Sequence, residues 1–250
     1  MPDTRTLRAC SLAVILAAVS ASAAGGDDAA QSAPAPKQAP AKPAQPAPPK
    51  PAAPADCAAQ MTARVQARYD RMRDLEARFT QRTISQLSPA GDVSTGRVAL
   101  AKPGKMRWSY EAPEPSLVVS DGRTLWIYDA VAREAQKLAV GEQFMSGAAF
   151  QFLLGDGRIA DSFTVRAADC GAARVKLVLT PKGDATYEHL ELVVDAASAE
   201  AQATSVVDLF GNRTEVEFSE IRYDRAPGAS VFQFTPEPGV RVIELDAPAS

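Results

Sequence analysis

The chain has 250 residues, of which 46% are hydrophobic, 23% charged and 6% aromatic, with 27 basic and 30 acidic side chains. This composition is typical of a soluble globular protein with one or two domains. A formal net charge of -3 lacks the basic excess on which nucleic-acid binding depends, so the chain is not expected to bind DNA or RNA.

The first 23 residues predict a signal peptide. Two arginines precede an apolar run at Leu12–Val19, and Ala21-Ser22-Ala23 forms a small-residue cleavage pattern. An uncleaved anchor is the alternative, but the uncharged stretch 9–26 is short and weakly apolar compared with the roughly 20 apolar residues of a membrane span. Residues 1–23 are therefore expected to be removed on export.

Residues 24–55 predict a disordered linker rich in alanine and proline. The segment contains no aromatic, β-branched or leucine residue, so it cannot bury enough apolar surface to offset the entropy of ordering the chain. Its prolines favour the extended polyproline II conformation. A spacer through a cell-wall layer or a docking strip for a partner is the alternative to a plain flexible leader.

The folded domain is predicted over residues 56–246, and it begins with an amphipathic helix. Asp56 is a suitable N-cap. Apolar residues recur every three or four positions from Met61 to Phe79, while charged residues occupy the other face. This spacing predicts a helix of about five turns.

After Phe79 the apolar pattern changes to strict alternation. Met106, Trp108 and Tyr110 alternate with polar residues, which is typical of antiparallel strands that have one buried face. Turn signals containing Gly and Pro separate the strand candidates. The predicted strands are 79–87, 92–101, 105–111, 116–120, 124–129, 134–139, 162–168, 173–180, 187–195, 202–209, 213–221 and 240–245.

One apolar segment interrupts the strand pattern. Residues 143–154 lack β-branched residues and end at Gly155-Asp156-Gly157, so they predict a short helix. One long helix, a series of strands and an inserted apolar helix together indicate a single α+β domain built on a curved sheet or barrel.

The residues form no recognisable catalytic or metal-binding motif. The single histidine, His189, lies in an alternating strand pattern, and the cysteines at positions 10, 57 and 170 lack metal-ligand spacing. Nucleotide-binding and serine-hydrolase motifs are not found in the sequence. The sequence therefore predicts no metal, no cofactor and no enzymatic activity.

Cys57 and Cys170 are the cysteines that remain after removal of the signal peptide. An even pair of cysteines in an exported protein favours a disulfide bond, with two separate buried thiols as the alternative. The bond would join the start of the first helix to a strand in the second half of the chain.

The run LAKPGKMRWSYEAPEPSLVVSDGRTLWIYD at 100–129, followed by FTPEPGV at 234–240, resembles the outer-membrane lipoprotein carrier family (LolA). The similarity extends in order over nearly all of residues 58–245. It implies an unclosed antiparallel β-barrel, or half-barrel, with an N-terminal helix and a short helical lid over an apolar cavity. It also implies a monomeric periplasmic chaperone that binds the acyl chains of triacylated lipoproteins, receiving them from an inner-membrane LolCDE-type extractor and delivering them to an outer-membrane LolB-type receptor.

The resemblance assigns roles to individual residues. Lys102 stands where the family usually has an arginine that hydrogen-bonds the closed lid, and an ammonium lacks the planar fork of a guanidinium. The first helix, the sheet and the lid are all expected to contact lipid. The residues concerned are Tyr69, Met72, Met106, Trp108, Val118, Met145, Phe150, Leu153 and Leu154.

Two other functions are compatible with the sequence. A related carrier would move another lipid or a glycolipid instead of a lipoprotein. A periplasmic sensor or signalling module would use the same open-barrel fold, but it would ordinarily need a further domain to contact a membrane partner. The roughly 190 residues that follow the linker are not expected to provide one.

Overall fold

The computed structural model describes residues 54–140 and 157–245. In chain order the elements are helix α1 (Pro54–Arg71), strands β1 (Asp74–Ile84), β2 (Asp92–Ala101), β3 (Lys105–Ala112), β4 (Ser116–Asp121), β5 (Thr124–Asp129) and β6 (Glu134–Ala139), helix α2 (Ile159–Ser162), strands β7 (Phe163–Ala168), β8 (Arg174–Pro181), β9 (Tyr187–Asp195), β10 (Ala201–Asp208) and β11 (Arg213–Tyr223), a 3₁₀ turn (Ala229–Phe232) and strand β12 (Arg241–Leu245).

The twelve strands form one sheet in the order β12-β6-β5-β4-β3-β2-β1-β11-β10-β9-β8-β7. Every neighbouring pair is antiparallel except β12 and β6, which are parallel. In the described residues β12 and β7 are the two edges, so the sheet does not close into a barrel. The predicted α+β class and the unclosed antiparallel sheet with an N-terminal helix are confirmed. The predicted lid helix, 143–154, lies outside the described residues.

One face of the sheet, here called the inner face, carries the buried apolar core. Phe79 on β1, Val98 on β2, Val118 on β4 and Leu192 on β9 all belong to one hydrophobic cluster. Alternating residues of each strand point to this face, because successive side chains of a strand lie on opposite sides of the sheet. Helix α1 contributes Met61, Val65 and other residues to the same cluster.

The C-terminal segment packs on the opposite, outer face. Phe234 contacts the rings of Trp126 and Tyr128, with ring centroids 5.5 Å and 5.1 Å apart. The guanidinium of Arg107 donates a hydrogen bond to the carbonyl of Val231 over 3.1 Å. These contacts cover the outer side of β3 to β5 before the chain enters β12.

The prediction that the first helix reaches Phe79 is wrong. Helix α1 ends at Arg71, and Leu75, Ala77 and Phe79 are buried residues of β1. Leu75 and Phe79 are four residues apart, a spacing that fits one face of a helix and also one face of a strand. Strand pairing decides the outcome, because β1 is hydrogen-bonded to β2 on one side and to β11 on the other.

Asp74 fixes the start of β1. Its buried carboxylate accepts hydrogen bonds from the backbone N–H groups of Arg225 and Ala226 over 2.6 Å and 3.2 Å. Satisfying a buried carboxylate in this way requires an extended chain at position 74, directly after the last turn of α1. The helix also begins at Pro54, so Asp56 lies within its first turn rather than at the predicted N-cap.

The other strand boundaries lie within a few residues of those predicted. Apart from the start of β1, the largest difference is at the end of the same strand: residues 85–87 were predicted to continue it but follow its last residue, Ile84, as a turn. None of the described helices is long and apolar enough to cross a membrane.

Candidate functional site

Four aromatic side chains form a cluster on the inner face, here called the aromatic cluster: Phe79, Trp108, Tyr110 and Phe218. The centroid of the Phe79 ring lies 4.8 Å from that of Trp108 and 5.1 Å from that of Tyr110, the latter in an edge-to-face arrangement. Trp108 also meets Phe218 edge to face at 6.3 Å. Offset and edge-to-face packing of this kind stabilises aromatic pairs beyond the area that they bury.

The sheet register places three predicted lipid-contacting residues on this face. Trp108 is directly opposite Val118 across the β3–β4 pair, and Met106 lies two residues before Trp108 on the same strand. Met106 and Val118 are buried, whereas Trp108 is partly exposed and packs against the same core. These side chains form a continuous apolar wall with Val98 of β2.

Gly96 makes room for the aromatic cluster. It is the cross-strand neighbour of Phe79 in the β1–β2 pair. A Cβ atom at position 96 would lie 2.0 Å from the carbonyl oxygen of Ser109 and 2.8 Å from the Phe79 ring. Only glycine permits this approach. The absence of a side chain at Gly96 therefore allows the Phe79 ring to pack directly against the β2 backbone.

The end of helix α1 closes one side of the inner face. Tyr69 and Met72, both predicted to contact lipid, are buried in the cluster that contains Leu75 and Leu100. Burial raises the pKa of the Tyr69 hydroxyl above its ordinary value, so this group is neutral at physiological pH.

Two polar connections hold α1 against the second half of the sheet. The guanidinium of Arg64 donates hydrogen bonds to the carbonyl oxygens of Ala196 and Ala197 over 2.7 Å and 2.6 Å. The guanidinium of Arg68 bonds the carboxylate of Glu200 over 2.7 Å and lies over the ring of Tyr223, 4.5 Å from its centroid. Both contacts fix the helix to the turn between β9 and β10.

A covalent connection accompanies them. Cys57, in the first half of α1, forms a disulfide bond with Cys170 in the turn after β7, across 113 residues of sequence. The Cα atoms of the two cysteines are 6.3 Å apart, within the normal range for a disulfide. Helix α1 is therefore attached to the sheet at both its ends and along its polar face.

Lys102 contacts the C-terminal end of α1. Its ammonium donates a hydrogen bond to the carbonyl oxygen of Tyr69 over 2.5 Å, and its backbone N–H bonds the carbonyl of Arg73 over 2.9 Å. A positive charge is favourable at this place, because the last carbonyl groups of a helix carry partial negative charge. The predicted contact between Lys102 and the lid involves residues outside the described ranges. The predicted lipid-contacting residues of the lid also lie outside them: Met145, Phe150, Leu153 and Leu154.

The indole N–H of Trp108 is a buried donor on the same wall. Its nitrogen is shielded from solvent and has no hydrogen-bond partner within residues 54–140 and 157–245. The tyrosine of the aromatic cluster is satisfied by contrast, since the hydroxyl of Tyr110 donates to the side-chain oxygen of Gln81 over 2.9 Å. Apart from this N–H group the wall consists of apolar groups, including the side chains of Val98, Met106 and Val118, which suits hydrocarbon chains.

The described residues contain no group of three or more His, Cys, Asp and Glu side chains that could hold a metal ion. His189 lies on β9, with its ring nitrogens 3.7 Å and 3.8 Å from carboxylate oxygens of Glu188 and Glu191. Glu191 is also bonded to Arg213 and Lys176. These groups pair with one another and lie away from the aromatic cluster.

A cleft of about 290 Å³ lies where β10 and β11 diverge. Its lining includes Phe218 of the aromatic cluster, but also several charged and polar residues, so it is more polar than the cluster itself: Arg174, Glu200, Gln202, Glu217, Ser219 and Glu220. Acyl chains would be poorly accommodated there, because the charged groups would have to give up water without a partner.

Sequence reasoning did not assign three of the four cluster residues to the site. Tyr110 could have been found, since it continues the alternation of Met106 and Trp108. Phe79 was placed on the helix, and Phe218 reaches the cluster only because β11 pairs with β1, directly opposite Phe79. No local sequence pattern predicts a pairing between strands so far apart in sequence.

The family model and the curated relatives give the same family. The model of the family "Outer membrane lipoprotein carrier protein LolA" matches residues 70–235. The outer-membrane lipoprotein carrier protein of Dechloromonas aromatica (strain RCB) is 33% identical over 172 residues, covering 68% of this chain and 81% of that protein. The outer-membrane lipoprotein carrier protein of Chromobacterium violaceum is 35% identical over 198 residues, covering 77% and 91%.

A solved structure of a LolA superfamily protein from Nitrosomonas europaea is also similar, with a TM-score of 0.40 and 13% identity over 71% of this chain and 97% of that one. The family match spans the sheet from before β1 to the aromatic residues that cover its outer face, including the whole aromatic cluster. The chain belongs to the outer-membrane lipoprotein carrier family, LolA.

Proposed function

We propose that this protein is a periplasmic chaperone that binds the acyl chains of lipoproteins released from the inner membrane and delivers them to an outer-membrane receptor. The aromatic cluster and the apolar wall around it support this proposal most directly, because acyl chains would replace part of the packing among these largely apolar, mostly buried side chains, and the named members of the family are lipoprotein carriers. Apolar surface of this kind binds hydrocarbon by removing it from water.

Binding and release by such a carrier require no covalent chemistry. Acyl chains would contact Met106, Trp108 and Val118 on the sheet and Tyr69 and Met72 at the end of α1. The empty and loaded forms must differ by only a few kcal/mol, since a much more stable loaded form would not release its cargo. Transfer then proceeds to whichever partner binds the acyl chains more tightly.

The remaining parts of the cycle extend the same proposal. Residues 143–154 would act as the lid, with Met145, Phe150, Leu153 and Leu154 completing the lipid-binding surface. An inner-membrane LolCDE-type extractor would supply triacylated lipoproteins, and a LolB-type receptor would accept them. The signal peptide at 1–23 would direct export of the protein, which would then act as a monomer.

Native mass spectrometry of the protein purified from the periplasm tests the proposed cargo. We expect a fraction of molecules to carry the added mass of a triacylated lipoprotein. Added masses of free lipid or glycolipid alone would instead identify a carrier of those molecules. Protein that carries neither, even after co-expression with an abundant lipoprotein, would contradict the proposal.

Lys102 is proposed to stabilise the empty form. Replacing it in Lys102→Leu removes the hydrogen bond to the Tyr69 carbonyl, which is expected to lower the free energy of unfolding by only about 1 kcal/mol. Because the empty form loses this contact and the loaded form does not need it, cargo release to the receptor should become roughly fivefold slower. The measurement is the rate of lipoprotein transfer to the purified receptor.

Lys182→Leu provides a matched control. The ammonium of Lys182 also donates to a helix carbonyl, that of Ala160, over 2.7 Å, but it lies at the opposite end of the sheet from Lys102. This variant should have a similar stability and an unchanged transfer rate. Equal transfer rates in both variants and the parent protein would show that Lys102 does not control release.

A further inference from the structure

Strongly exposed large apolar side chains of the described residues all lie toward one end of the sheet. This end, here called the tip rim, is formed by the turns β1–β2, β5–β6 and β10–β11 together with the start of β12. The residues concerned are Leu87, Val93, Val131, Leu209, Phe210 and Val242. Such side chains are common singly on protein surfaces, but a distribution restricted to one end is not expected by chance.

The most exposed of them stand at the ends of two neighbouring hairpins. Leu87 in the β1–β2 turn is 99% exposed, and Leu209 and Phe210 in the β10–β11 turn are 63% and 82% exposed. Strands β1 and β11 are adjacent, with Ile84 paired to Arg213 at the tip rim. The centres of the two turns are therefore about 10 Å apart, two strand spacings along the sheet.

Aspartate side chains fix the outward position of the apolar residues. The carboxylate of Asp208 accepts hydrogen bonds from the backbone N–H groups of Phe210 and Asn212, both over 2.8 Å. The carboxylate of Asp129 accepts in the same way from Val131 and Ala132, again over 2.8 Å. The turns are thus held in a defined conformation in which the apolar side chains extend into solvent.

The opposite rim also contains turns that are held by an aspartate side chain, but with different residues at their tips. There Asp195 accepts from the N–H groups of Ala197 and Ser198, and Asp121 from those of Arg123 and Thr124. These turns present small, polar or basic residues. Asp208 accepts from the second and fourth residues after it instead of the second and third, so the turns are similar but not identical, and the clearest difference between the rims is the type of residue that they present.

The chemistry of the tip rim favours lipid over protein or a charged surface. The turn segments 85–91 and 209–212 contain no charged residue. They also lack the Trp, Tyr and Arg side chains that dominate the energetics of protein–protein interfaces. Leu, Val and Phe side chains on separate turns can each insert into a lipid bilayer, because a bilayer does not require a complementary shape.

We propose that the tip rim docks on the surface of a neutral phospholipid bilayer and inserts Leu87, Leu209 and Phe210 into its interfacial region. The three side chains lie on the two adjacent hairpins of β1–β2 and β10–β11, so they enter the bilayer together. This contact is distinct from the binding of cargo on the inner face. It would hold the protein reversibly at a membrane while leaving α1 and the opposite rim free.

The test is sedimentation of the purified, exported protein with sucrose-loaded phosphatidylcholine vesicles, without cargo. We expect measurable partitioning of the parent protein, and at least a tenfold lower partition coefficient for the double variant Leu87→Ser/Phe210→Ser. Thermal unfolding confirms that the variant is folded. Parent protein that does not partition, or a double variant that partitions equally, would overturn the proposal.

A position exchange separates the tip rim from general hydrophobicity. In the variant Phe210→Ala/Ala197→Phe the phenylalanine moves to the second residue after Asp195, the equivalent place in a turn on the opposite rim. Its composition equals that of the parent protein. Vesicle binding should fall as far as in Phe210→Ala alone. Binding at the level of the parent protein would show that any exposed phenylalanine suffices, which contradicts the proposal.

Fluorescence quenching locates the inserted residue. A tryptophan in Phe210→Trp should be quenched by bromine-labelled acyl chains, whereas a tryptophan in Ala197→Trp should not. Addition of anionic lipid should change the partition coefficient of the parent protein by less than about twofold, because the two turns proposed to insert, 85–91 and 209–212, contain no charged residue. A strict requirement for anionic lipid would identify an electrostatic surface and overturn the proposal. Cargo is not used, so these results do not depend on whether the protein carries lipoproteins.

Discussion

Breaking the disulfide between Cys57 and Cys170 is expected to lower the free energy of unfolding by about 4 kcal/mol. The bond closes a loop across 113 residues, and on the chain-entropy model a loop of this length restricts the unfolded chain strongly. For a domain of this size the loss corresponds to a melting temperature lower by about 8–16 °C. Thermal unfolding of the protein with and without a thiol reductant measures the difference.

The double variant Cys57→Ser/Cys170→Ser serves as the control for reduction. It should melt at the temperature of the reduced parent protein and should not respond to reductant. Its native structure should persist at 25 °C, because Arg64 and Arg68 still fix α1 to the β9–β10 turn. A difference of less than about 2 °C between the oxidised and reduced protein would show that the bond contributes little.

Replacing Gly96 by alanine is expected to destabilise the protein by about 3 kcal/mol or more. The added Cβ would lie 2.0 Å from the carbonyl oxygen of Ser109, which belongs to the backbone of the neighbouring strand and cannot rotate away. Overpacking of a well-filled core typically costs about 1–3 kcal/mol, and a clash with backbone lies at the upper end. Denaturant unfolding measures the change, and the fluorescence of Trp108 reports the displacement of the adjacent Phe79 ring.

Gly183→Ala is the matched control for Gly96→Ala. A Cβ at position 183 would meet no atom within 4 Å, and the residue does not have a positive φ. This variant should change the free energy of unfolding by less than about 0.5 kcal/mol. If both alanine variants proved equally stable, Gly96 would not be required for the packing of the aromatic cluster.

Most strands could be predicted from sequence, because alternation and turn residues are local signals. Met106, Trp108 and Tyr110 reveal the inner face of β3 without reference to any other strand. The end of α1 could not be predicted in the same way. Residues 75 and 79, four positions apart, suit both a helix and a strand, and only the pairing of β1 with β11 resolves the choice.

In the candidate site, too, local patterns revealed some residues, whereas contacts that depend on the whole fold were missed. The apolar residues of β3 and β4 were found from local patterns and from the family resemblance. The hydrogen bond between Lys102 and Tyr69 was missed, since it forms at the C-terminal end of α1, and the sequence pattern placed that end near Phe79 instead of at Arg71. The exposed residues of the tip rim were also missed, because exposure at a turn depends on how neighbouring hairpins align.

The place of β1 in the sheet also bears on how the protein is made. Strand β1, the first in sequence, lies between β2 and β11, and Leu75 pairs with Tyr223 almost at the end of the described chain. Contacts across so long a separation form slowly, because the intervening chain must first be ordered. The two halves of the sheet cannot join until β11 has been synthesised. A nascent chain of this protein would therefore lack its central strand pairing until residues 213–223 have been synthesised, long after β1 itself.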